Sequence, residues 1–418
     1  MNTRRFRKQT RRGSVLAVTL FLAFLFGLFL FYYLSLAKGQ RTMVARAQAW
    51  NASLGLAEAG AEEALAQLNP GAPQPAIDRT ANGWGAASAG LYGPMSRTLT
   101  NGSYSAVYTT DTFPVIYATG YVAVASLSAN LSRTVRLTTK TVPLFGVGMA
   151  AVGNINLNGN NINTDSFDSG HTNAWTSSTP QGTNGSIASL QGLVNVGNGN
   201  VHGTVYLGPA AANTVGSSGF VTGGVSNDFN ASFPDVILPS TTPIPAVALN
   251  TNIAGVTYQY AFIGNSGYYS VPALTGNLYV GPSTQITLLI NGNASPGTIY
   301  VDGPGVTAGK LIIYMNGPSF TLSGQSTVIA GIAADLAYYG TPNNTSFTMS
   351  GNASFCGTVY APEAAVSMGG GGSNPYDFVG SLICKSVTMN GHFNFHFDED
   401  LLRDGPARGY VATGWTEL

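Results

Sequence analysis

The side chains able to do chemistry are few enough to take one at a time. His392, Asn394, His396 and Asp398 fall at alternate positions, so a strand puts them on one face. A divalent cation bridging them is one reading of that face, and a surface that only meets solvent is the other. Asp165 and Asp168, in Thr-Asp-Ser-Phe-Asp-Ser, offer carboxylates to Ca²⁺ or side chains to Asx turns. Cys356 and Cys384 are the two cysteines. Their spacing is close to one turn of a repeating coil, which leaves a disulfide and two buried thiols both open. Lys310 is the single cation between positions 141 and 384, where eight acids are scattered. Proton abstraction from a polysaccharide needs clustered carboxylates, or Ca²⁺ with a base beside it, and this stretch offers neither pattern. The chain has no G-x-S-x-G elbow, Walker loop, H-E-x-x-H or C-x-x-C, and Gly309-Lys310-Leu311 lacks the Ser/Thr of a phosphate loop. The expectation is a protein that is not an enzyme and carries no cofactor, with a polysaccharide lyase as the weakest alternative.

What must position these groups is a chain of 418 residues, 44 % apolar and only 9 % charged. Ordinary soluble proteins carry roughly 25 % charge. Low charge with 53 Gly, 20 Tyr and 20 Phe points to β-rich order rather than disorder. The formal net charge is zero, but nine of the 18 Lys and Arg lie before residue 47 and all 18 acids lie after it. So anionic a remainder, residues 47–418, is a poor phosphate surface, and nucleic acid is excluded as the main partner.

Six cations, Arg4, Arg5, Arg7, Lys8, Arg11 and Arg12, precede an uncharged span bounded by Val15 and Ala37 that holds thirteen Leu and Phe. As a helix, those 23 residues reach roughly 34 Å, enough to cross a hydrocarbon core of about 30 Å. The basic flank should stay cytoplasmic, making this a single-pass anchor with the remainder exported. Ser35-Leu36-Ala37 would suit a cleavable signal, but the apolar span exceeds the usual h-region. Helix formers also continue without Pro to Asn69-Pro70. Val44, Ala47, Leu54, Ala57, Ala61, Ala64, Leu65 and Leu68 make one stripe at helical period.

Gly13-Ser14 after a basic leader, then an unbroken apolar helix running into an Ala-rich half with Ala57-Glu58-Ala59-Gly60, resembles type IV pilins and type II secretion pseudopilins, and in particular the N-terminal domain of PilX-type minor pilins. The resemblance implies cleavage between Gly13 and Ser14 by a prepilin peptidase and packing with other pilin-like subunits. It also implies residence in a bacterial inner membrane, with the C-terminal domain exported to the cell surface or a pilus. Major pilins carry Glu at the fifth mature position; here it is Val18. A buried carboxylate that compensates a neighbour's amino terminus is therefore missing, which implies a minor, tip or initiating subunit. The competing expectation is a permanently anchored surface protein that binds glycan or cell envelope.

Beyond a linker at 70–94, residues 95–142 read as three strands of a small antiparallel sheet covering the helix. Residues 143–402 are Gly/Asn-rich and repetitive. Gly-Thr-(Val/Ile)-Tyr recurs at 203–206, 297–300 and 357–360. Phe320-Thr-Leu-Ser-Gly aligns with Phe347-Thr-Met-Ser-Gly, Val328 then matches Phe355, and further copies start at Val387 and Ile155. Short strands with Gly turns and no helices between them predict a parallel β-helix, or alternatively a jelly-roll sandwich, with a Pro-rich excursion at 233–247 and a tail at 403–418. The fold class expected is thus α+β and membrane-anchored. Residues 355–401 also resemble a domain of unknown function found joined to PilX-like N-termini, which implies architecture rather than activity.

Overall fold

The computed structural model describes residues 13–69, 79, 82–124, 130–159, 162–172, 174–303, 307–370 and 376–418. The expected basic leader, 1–13, lies outside them except for Gly13, as does most of the linker at 70–94. The chain forms two compact units, one built from 1–67, 79–140 and 412–418, the other from 68–78 and 141–411.

The first unit is dominated by helix α1 (Gly13–Leu68), 56 residues without a break. Its first half is exposed on every side, Val15, Val18, Phe21, Phe24 and Phe31 included, and is long and apolar enough to cross a membrane. Burial starts at Ala49 and then follows Ser53, Leu56, Ala57, Gly60, Ala61 and Ala64. The expected stripe began earlier, at Val44, which is exposed. The sheet reaches only as far as Ala49, so a helical period extending beyond it has nothing to pack on.

That cover is antiparallel: β1 (Leu91–Leu99), β2 (Gly102–Thr109), β3 (Val115–Val122) and β4 (Leu131–Pro143). Tyr104, Ala106, Tyr108, Ile116, Ala118, Val135 and Leu137 supply its buried face. Two sequence expectations change here. The Asn101-Gly102 turn splits the first expected run into β1 and β2, so β1 begins inside the segment expected to be linker. The presumed tail contributes a fifth strand, Ala407–Glu417, placed beside β4. Arg133 pairs with Glu417, and Leu418 N–H donates to the Thr134 carbonyl at 2.9 Å. Strand pairing across some 270 residues leaves no local trace in sequence.

Helix and sheet meet closely. A β-carbon on Gly120 would fall 2.1 Å from the Ser53 carbonyl oxygen and 2.8 Å from Leu56 Cβ. Tyr104 Oη donates to Glu63 at 2.5 Å and Arg97 Nε to the same carboxylate at 2.7 Å, fastening the two layers. Burial, and then Glu63, pushes the Tyr104 hydroxyl up to about 12. Gly120→Val is expected to force the helix off the sheet at a cost of about 3 kcal/mol or more. Thermal unfolding of the full chain in detergent would read this as a lower midpoint for the first unit.

In the second unit, 24 strands of described residues form one continuous sheet whose described pairs are all parallel. Each strand lies beside the strand one coil further along. Phe320 stands opposite Phe347, Val328 opposite Phe355 and Val387 opposite Ile155, as the repeats align them. Inward side chains fill a continuous core with stacked rings, Phe355 on Phe378 at 4.9 Å and Phe378 on Phe395 at 4.8 Å.

Coil order does not follow chain order. Residues 149–226 wind from mid-stack to one end. Residues 244–398 wind from the opposite end back to the middle and settle on the first coil, with Leu382 opposite Met149 and His396 opposite Asp165. The chain consequently enters and leaves this unit side by side, and Leu144 N–H donates to the Pro406 carbonyl at 2.8 Å. The Pro-rich excursion is the return path. It runs along the outside from Phe229, whose N–H donates to Leu207, past Pro234, which accepts from Tyr360 Oη at 2.7 Å, to Ile244 beside Tyr269. Val236 is buried there in an outer apolar layer with Leu289, Tyr314, Tyr339 and Tyr360. Proline suits such a strap, since its ring fixes φ and asks for no ladder hydrogen bond.

Candidate functional site

The seam between the two half-stacks gathers the titratable groups. Strand Phe393–Asp398 closes the later half and pairs with Asn163–Phe167 of the earlier half. Period two sends Phe393 and Phe395 inward and His396 outward. His396 is nevertheless only 1 % exposed, because Trp175 stacks on its ring at 4.1 Å and 22°. Its Nδ1 lies 2.5 Å from Asp165 Oδ1, and its Nε2 lies 3.3 Å from Asp377 Oδ1. Asn163 Nδ2 donates to the second oxygen of Asp165 at 2.9 Å.

With a carboxylate at each ring nitrogen, the imidazole is best matched by its doubly protonated form, which donates at both. Burial alone would push the His396 pKa down. The hydrogen bonds that His396 donates to Asp165 and Asp377 outweigh it, and the net direction is up. The triad is thus an ionic clamp joining two segments more than 200 residues apart in sequence.

The four residues expected on one strand face do not converge on a metal. His392 stands at a bend before the strand begins, and Asn394 only grazes Asp377 at 3.5 Å. Asp398 turns away to cap the short 3₁₀ helix Glu399–Leu402, accepting from Asp400 N–H at 3.2 Å and Ser169 N–H at 3.1 Å. The strand ends there, so its alternation ends too. Burial raises the Asp398 carboxyl above its ordinary range. Among the described residues no group of three His, Cys, Asp or Glu side chains is placed to hold a metal ion.

Asp165 and Asp168, equivalent in sequence, separate in function. Asp165 faces His396, whereas Asp168 accepts from Gly170 N–H at 3.0 Å and pairs with Arg403 and with His171 Nδ1 at 2.8 Å. The Arg403 guanidinium beside it, helped by His171 and opposed by burial, holds the Asp168 carboxyl below its usual range. Sequence reasoning missed Asp377, Trp175 and Arg403. A lone large aromatic, Trp175, in a loop of small and polar residues was the one visible signal.

Cys356 and Cys384 are free thiols. Successive coils pair Cys356 with Val379 and Ala361 with Cys384, so the coil repeat at this point is five residues shorter than the cysteine spacing. The two therefore fall on different faces. Burial pushes the Cys356 thiol up to about 12 and Cys384 up as well, so both stay protonated; Cys384 is a core group, while Cys356 is only half-buried. Lys310 stands 3.5 Å from the buried Asp335, a lone ion pair on the outside of the stack. Helix α1 starts at Gly13 and passes Val18 and Ala37 without interruption.

Residues 274–403 match a domain of unknown function (DUF7305), a region wholly inside the second unit. No curated protein matches the chain. Among solved structures, the competence-associated pilin ComZ from Thermus thermophilus is similar at 12 % identity over 88 % of this chain and 97 % of that one, with a TM-score of 0.29. At that score the likeness carries no argument about fold or role.

Proposed function

We propose that this protein is a membrane-anchored, pilin-like subunit of the minor, tip or initiating kind, in a type IV pilus or a type II secretion pseudopilus. The observation that carries the reading is helix α1 itself. One uninterrupted helix has an apolar half exposed all round and a second half roofed by an antiparallel sheet. A bilayer suits the first half, and so does a bundle of like helices, which lets one element serve both as anchor and as filament core. Val18 favours a minor subunit, since it offers no carboxylate to a neighbour's amino terminus. The coil stack, read as a parallel β-helix, would be the outward head. Its parallel pairs speak against a jelly roll, which is antiparallel. It would act by presenting a surface for assembly, adhesion or cargo rather than by catalysis.

The reading requires export with the N-terminus in the cytoplasm, a prepilin peptidase that cuts after Gly13, and pilin-like partners. It is tested by the mass and N-terminal sequence of native protein from bacterial inner membranes. A methylated chain beginning at Ser14 is expected. A start at Lys38 would reduce the helix to a signal and overturn the proposal.

A start at Met1 would favour the second reading, a permanent anchor whose head grips surface glycan. One feature supports that alternative. Thr321, Thr348, Ser367, Thr388, Asn156, Asn195 and Thr214 line up in register as an uncharged outward column of hydroxyls and amides.

A further inference from the structure

A cavity of about 290 Å³ opens beside the seam triad. Trp175, Ile329, Phe355, Cys356 and Val379 make it mainly apolar, and Asp377 is the charged group in its wall. The local charges do not cancel. His396 as imidazolium sits between two carboxylates, so the triad sums to one negative charge. Asp165 is buried, with Asn163 and His396 occupying its oxygens. The excess falls to Asp377, whose side chain is 26 % exposed and whose Oδ2 has no hydrogen-bond partner among the described residues. The unit's own cations do not supply the balance. Arg403 is committed to Asp168 and Asp400, Lys310 to Asp335, and Lys385 to Glu363, while Arg408 lies with Val142, Pro234 and Tyr410 and does not line this cavity.

A carboxylate in apolar walls is costly unless a cation joins it. We propose that this cavity binds an alkylammonium group. The apolar walls take the methylene stem, Asp377 takes the ammonium, and Trp175 adds an aromatic surface that attracts a cation. The same chemistry is carried by a lysine side chain of another polypeptide and by a free aliphatic diamine. The anionic balance of the exported part favours cationic partners in either case.

The test uses the full chain in detergent, titrated by NMR with Nα-acetyl-lysine methylamide, with its Nε-acetylated form, and with putrescine. Saturable binding of the lysine compound or of putrescine is expected, with none for the acetylated form, and the tighter of the two names the source. Asp377→Asn should weaken binding about tenfold or more, as loss of a charged hydrogen-bond partner does. Because that variant also disturbs His396, Ile329→Trp provides the second arm. It fills the cavity without touching the triad and should abolish binding while the unfolding midpoint is kept. No saturable binding of either amine, or binding unchanged in both variants, would overturn the proposal.

Discussion

Phe378→Ala should destabilise the coil stack more than any other single truncation in it. The ring is fully buried and stacks on Phe355 at 20° and on Phe395 at 9°, so its removal leaves a hole flanked by two rings that cannot close over it. Lost transfer energy and the residual cavity together cost about 3–5 kcal/mol for a buried Phe. A typical domain has only about 5–15 kcal/mol in all. The strand that carries Phe378 also borders the seam, since its later residues pair with Met149–Ala151 and Ile155–Leu157. Loss of packing there should loosen both half-stacks together. Chemical unfolding of the full chain should show the coil stack melting in one step, shifted to lower denaturant. A shift under 1 kcal/mol would mean that the neighbouring rings collapse into the space.

The second large effect concerns pH. His396 has a raised pKa in the folded protein, so its contribution is fully present below the ordinary histidine value of about 6.5 and is lost as pH rises through the folded value. Asp398 and Asp335, both raised by burial, act in the same direction, because the folded chain holds their protons more tightly than the unfolded chain does. Glu63, Asp168 and Glu417 are lowered by their cationic partners and contribute above the carboxylate range, losing that contribution on strong acidification. Stability should therefore peak between about pH 4.5 and 6.5 and decline towards pH 8. His396→Gln should flatten the decline and, by leaving Asp165 buried without its partner, cost about 3–5 kcal/mol near pH 6. Thermal midpoints of the two proteins across pH 4–9 check both points. A wild-type midpoint that does not change from pH 6 to 8 would show that His396 stays neutral.

Much of this was present in the residues themselves. Charge run, apolar span and Ala-rich stripe determined one long helix, because helix formation depends on neighbours three and four positions away. Alternation around Tyr104 and Ile116 determined strands, and the repeats at Phe320 and Phe347 determined which residues stack, since equivalent positions in adjacent coils meet the same core. What the tertiary structure alone decided are pairings between distant segments. These are the return of Ala407–Glu417 to the small sheet, the meeting of the two half-stacks at mid-stack, the Pro-rich strap that makes this order possible, and the His396 triad that the meeting assembles. A β-ladder is satisfied by any extended partner in register, so local sequence specifies the strand but not its neighbour. The cysteines show the same limit. Their spacing suggested one coil, and a repeat five residues shorter at that turn put them on different faces.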